Sequence, residues 1–264
     1  MDPHMLQPEV DRVSELHKTL ADVNPALARV HPIAVVEDDH FTIFDLDPTD
    51  GQWAFVKRAP TPMPVPQGVR AAFPLECYDG RTACVVTSDV FDTLAGYVTL
   101  FHEFVHCHQA ETCETALKET LRIAQAASDP MWEITYPFPY NDPCFFEDYR
   151  RFFGALAAHD PASVWACRSA LKQHLASDDF EYLVWQEWKE GFARFIENRI
   201  RAELGLGGNH GGQAPPYRRV SFYEGGAQFI EFLEAQAPEI SHDLEALFTL
   251  MCEGKADPLV GRER

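Results

Sequence analysis

The chain has 264 residues, 46% of them apolar and 24% charged, enough to bury a sizeable core, so wholesale disorder is excluded. A net charge of −19 repels phosphate backbones and anionic lipid, which sets nucleic acid and membrane aside as partners. That acidity serves solubility, or else marks a cleft that prefers cationic or neutral substrates.

Seven cysteines at irregular spacing, with no CxxC pair, argue against a disulfide framework and for a reducing compartment. The first residues lack a basic region followed by an apolar run, and no apolar stretch approaches the length of a bilayer span. A cytoplasmic location is therefore expected.

In chain order, Leu6, Val10, Val13, Leu16, Leu20 and Val23 recur every three or four residues. They predict an amphipathic helix ending near Asn24-Pro25. Three short β-like runs follow, Ile33–Val36, Phe41–Phe44 and Trp53–Lys57, separated by turns such as Asp47-Pro48-Thr49-Asp50-Gly51. The segment Pro60-Thr61-Pro62-Met63-Pro64-Val65-Pro66 cannot enter a sheet interior and reads as an extended loop. Two more strands, Val69–Phe73 and Ala83–Thr87, flank the turn Asp79-Gly80. Residues 1–92 are thus expected to form a leading helix and a small antiparallel sheet.

Helical patterning then takes over. It runs from Thr93 to Cys113, then Glu114–Ala127, Phe145–Ala158, Ala162–Ala176 and Tyr182–Leu204. A glycine-rich break spans Gly205 to Gly212, and helices are expected again near Tyr223–Ala235 and Ser241–Cys252. Residues 130–144, rich in proline and aromatics, read as a rigid packed loop. The expected architecture is α+β, a small sheet on a mainly helical body. Residues 93–264 form the helical region, with an inserted segment at about 114–180, all in one continuous domain.

Within the first long helix stands His102-Glu103-Phe104-Val105-His106. Positions i and i+4 share a helix face, so both imidazoles can reach one ion. Glu103 is one step around, placed to reach a water on that ion as general base. Two ligands are too few, because a catalytic zinc takes three protein ligands and leaves a position open. Thr112 stands where the metzincin pattern needs a third histidine.

Further on, Trp188-Lys189-Glu190-Gly191-Phe192-Ala193 resembles the Glu-Gly-hydrophobic-Ala element of gluzincin-type zinc metallopeptidases. That resemblance implies a zincin-like fold, one zinc per chain, and Glu190 as third ligand after His102 and His106. It also implies hydrolysis of a peptide or small amide with Glu103 as base. Small Gly191 and Ala193 would let this helix approach the HExxH helix closely. Phe222-Tyr223-Glu224-Gly225-Gly226 echoes a Tyr-x-x-Gly helix of similar families, and Tyr223, Tyr217 and His210 are the candidate oxyanion donors. Two departures from the family pattern stand out: 83 residues separate His106 from Glu190, and no Gly-x-Met-Glu-Asn segment occurs to hold a substrate amine.

Several residues remain open. Glu187 and Glu197 lie on a stripe similar to Glu190 and are read as alternative ligands, as groups that orient a histidine or bind substrate, or as solvated charges. His210, in a glycine-rich loop, is either a surface turn or part of a mobile flap. His108, on a different face from His106, is expected to make a polar contact or be partly exposed. Asp142 is expected to cap the helix at Phe145. Two other functions fit the same ligands, a two-His-one-carboxylate iron oxygenase and a non-catalytic zincin-like binding module.

Overall fold

The computed structural model describes residues 3–253. The described residues divide into two compact units. The first holds residues 3–114 with Ile196–Asn209, and the second holds Thr115–Phe195 with residues 210–253.

The first unit opens with α1 (Pro3–Leu20), which buries Leu6, Val10, Val13 and Leu20. Five strands follow: β1 (Ile33–Glu37), β2 (His40–Leu46), β3 (Trp53–Pro60), β4 (Arg70–Leu75) and β5 (Arg81–Thr87). All five expected runs are strands. Their order is β3-β2-β1-β5-β4, and the sheet is mixed, not antiparallel throughout. β1 pairs antiparallel with β2 and parallel with β5, in a register that sets Ile33 opposite Cys84 and Val36 opposite Thr87.

The cause is the Pro-rich segment. β3 and β4 are the two edges of the sheet, so residues 61–69 must run from one edge to the other. Four inter-strand gaps need about 19 Å, and nine residues of polyproline-like chain reach about 28 Å. Along this path Thr61 N donates to Asp39 O at 2.8 Å and Gly68 N to Thr87 Oγ1 at 3.0 Å. Val65 and Val69 pack on the core formed by Ala34, Val36, Phe41, Ile43, Leu75, Ala83 and Val85.

The opposite face of the sheet receives α2 (Leu94–Gln109), which packs on β4 and β5. Thr93 caps it, accepting from Gly96 N at 3.0 Å. From Ala110 to Glu114 the helix widens into a π-turn, so the expected helix to Cys113 loses its α register after Gln109.

The second unit is helical. The stretch expected as one helix from Glu114 is two, α3 (Thr115–Thr120) and α4 (Arg122–Ala126), broken where buried Leu121 turns extended. Glu181 accepts from Ile123 N at 2.9 Å and so satisfies a donor at the new helix start. The loop expected at 130–144 contains a short α5 (Trp132–Thr135). Next come α6 (Pro143–Ala157), capped by Asp142 as expected, and α7 (Pro161–His174). α8 (Ser177–Glu203) begins earlier than its apolar pattern, with Asp178 and Asp179 in its first turn. It continues unbroken into the residues of the first unit. α9 (Arg219–Gln236) and α10 (Leu244–Glu253) complete the unit. Among the described residues, no helix is long and apolar enough to cross a membrane.

Gly191 and Gly226 bring α8 and α9 together. A Cβ on Gly191 would lie 2.6 Å from Gly226 Cα, and one on Gly226 would lie 2.2 Å from the Glu187 carbonyl oxygen. Gly191 and Gly226 therefore make room for the contact of α8 with α9.

Candidate metal centre

α2 is buried on nearly every side from Tyr97 to Gln109, so its polar residues are desolvated and need partners. His102, Glu103 and His106 are all buried. His102 Nδ1 faces Glu197 Oε2 at 3.2 Å, and His106 Nδ1 faces Gln109 Oε1 at 2.9 Å. An oxygen acceptor at each Nδ1 holds the proton there and leaves Nε2 as a lone-pair donor.

The two Nε2 atoms lie 3.2 Å apart. At that separation either one ring donates an N–H to the other or a cation lies between the two lone pairs. Nitrogens about 2.1 Å from a tetrahedral ion sit about 3.4 Å apart, so the spacing suits zinc. Glu190, carried on the same unbroken α8 as Glu197, adds a carboxylate oxygen. The ligand atoms of His102, His106 and Glu190 all lie within 4.8 Å of one another. The residues present therefore fit a three-ligand metal.

Glu197 is held in turn. Its Oε1 accepts from Asn209 Nδ2 at 2.9 Å, and Arg201 Nη1 lies 3.7 Å away. Asn209 N also donates to Asn198 Oδ1 at 2.7 Å, which ties the start of the glycine-rich loop to α8. Glu187 is engaged elsewhere, since Arg168 Nη1 reaches its Oε2 at 2.5 Å and Tyr149 donates to its Oε1 at 3.0 Å. Burial raises the Glu187 pKa and Arg168 opposes this.

In the second unit, Glu190 Oε1 accepts from Arg219 Nη1 at 3.4 Å. Tyr223 lies in the second turn of α9, not at its start, with the Arg219 guanidinium 5.2 Å and that of Arg194 5.8 Å from its ring centre. His210 is exposed, and its Nδ1 sits 2.9 Å from Oε1 of buried Glu224. His108 is half-buried, and its pKa is lowered by burial and then by Arg29. Cys107 is buried, and burial with the Glu103 charge pushes its thiol pKa up, so it stays a protonated core residue.

Gln109, Asn209 and Arg219 were not singled out from sequence. Gln109 had a usable signal, three residues after His106 on one helix face. Asn209 and Arg219 had none, because loop closure and helix packing bring them to Glu197 and Glu190. Compared with protein families, with curated proteins and with solved structures, the chain matches none.

Proposed function

We propose that the protein is a zinc-dependent hydrolase of the gluzincin type, acting on an amide and most simply on a peptide. The observation that carries this reading is the pair of Nε2 atoms 3.2 Å apart, each ring held with Nδ1 on an oxygen acceptor, with Glu190 supplying a third donor. A zinc ion bound there would supply Lewis acidity, acidifying water and polarising the scissile carbonyl.

The remaining work belongs to the chain. Glu103 accepts the proton of the attacking water and passes it to the departing amine. Glu197 and Gln109 fix the tautomers of His102 and His106. Tyr223 offers a hydroxyl to the oxyanion, with the guanidinium groups of Arg194 and Arg219 against its ring.

The test is elemental analysis of purified protein beside peptide hydrolysis. We expect about one zinc per chain, lost in Glu190→Ala and kept in Glu103→Gln. Hydrolysis in Glu103→Gln should fall by about 100-fold or more. Retained turnover in that variant would remove the general-base role, and unchanged zinc in Glu190→Ala would move the third ligand elsewhere. Iron with oxygen consumption would favour the oxygenase. A folded, metal-replete preparation holding no metal would favour the non-catalytic module.

A further inference from the structure

Arg219 is a cation beside Glu190. Its Nη1 lies 3.4 Å from Glu190 Oε1, and Glu190 is its one ion-pair partner among the described residues. That contact is long, since an arginine–carboxylate bond is usually about 2.7–2.9 Å and often bidentate. Other cations of the same unit hold their carboxylates closely: Arg168 reaches Glu187 at 2.5 Å and Lys189 reaches Glu133 at 2.8 Å.

The Arg219 side chain is 33% exposed, so donors on its five-donor fork remain within reach of an incoming group. Its guanidinium lies over the Tyr223 ring, which gives the subsite an aromatic floor. In a chain of net charge −19, this guanidinium is a local positive field at the one place where chemistry is proposed. A cation on Glu190 would spend the carboxylate charge and loosen its hold on Arg219.

We infer that Arg219, floored by Tyr223, forms a carboxylate-recognition subsite beside Glu190, so that the substrate is a peptide or N-acyl amino acid whose free carboxylate adjoins the scissile amide. The substrate claim rests on the hydrolase reading, but the subsite can be tested without metal. The probes are N-acetylphenylalanine and its amide, titrated calorimetrically into metal-free Glu190→Gln, which removes the competing charge.

The acid should bind about tenfold or more tightly than the amide. Adding Arg219→Met should abolish that preference, and Arg219→Gln serves if the first double variant does not fold. Equal binding of acid and amide to Glu190→Gln, including no detectable binding of either, would overturn the inference. So would a preference that survives loss of the guanidinium. Absence of zinc or of hydrolysis in the wild-type protein would defeat the hydrolase reading and leave this measurement unaffected.

Discussion

His102 and His106 differ in what sets their tautomers. Gln109 offers a neutral oxygen from the same helix, whereas Glu197 offers a full negative charge from α8. A carboxylate behind an imidazole raises its basicity and fixes its orientation, and its loss typically weakens metal binding 10–100-fold. Glu197→Ala should therefore lower zinc affinity by about that factor in a chelator-competition titration. Glu197→Gln, which keeps an oxygen but not the charge, should fall between it and the wild type. Unchanged affinity in Glu197→Ala would mean that His102 is oriented by packing alone. The two histidines and Glu190 were legible because a helix repeats in known steps and short motifs mark it. Glu187 looked much like Glu190 in the sequence. Its different burial became visible only with the Arg168 and Tyr149 that surround it.

Between elements, the α8–α9 contact is the tightest test of the architecture. An alanine in place of a helical glycine would stabilise by up to about 1 kcal/mol from propensity alone. At Gly226 the new Cβ would stand 2.2 Å from the Glu187 carbonyl oxygen, and rigid backbone cannot yield there. Overpacking of this kind costs about 1–3 kcal/mol or more, so the clash wins. Gly226→Ala should lower the midpoint of thermal unfolding by several degrees; a rise would show that the helices can separate freely. The strands themselves were readable as apolar runs bounded by turns. Their order was not, because periodicity says which face a residue takes and not which strand lies beside it. One clue to the parallel pair was present. Ile33-Ala34-Val35-Val36 and Ala83-Cys84-Val85-Val86 are unbroken apolar runs, as strands buried on both faces require.

At the scale of the whole molecule, buried ionisable groups set the response to acid. Burial, and then Arg29, lowers the pKa of His31 to about 3. The unfolded chain takes up this proton near pH 6.5 and the folded one only near pH 3, so stability falls as pH drops through that window. Glu133 acts in the same direction. Burial opposes its ionisation, but Lys189 and Lys118 prevail and hold its pKa below 4.5, so its contribution is present above that value and lost below it. In metal-free protein, thermal unfolding from pH 7 to 4 should show a shallower decline for His31→Gln than for the wild type. Equal slopes would relieve His31 of this role. None of this was legible in the sequence, since the pKa of a histidine depends on what is packed around it. The overall class, a small sheet with a largely helical remainder, was legible because it follows from composition and period.

The proline-rich crossing joins opposite edges of the sheet, and this makes it a tether of limited slack. Its nine residues exceed the needed span by roughly 9 Å, about three residues of extended chain. Natural variation in this segment should therefore be one-sided. Added residues can bow outward at little entropic cost, whereas losing more than about three would leave β4 unable to reach its place beside β5.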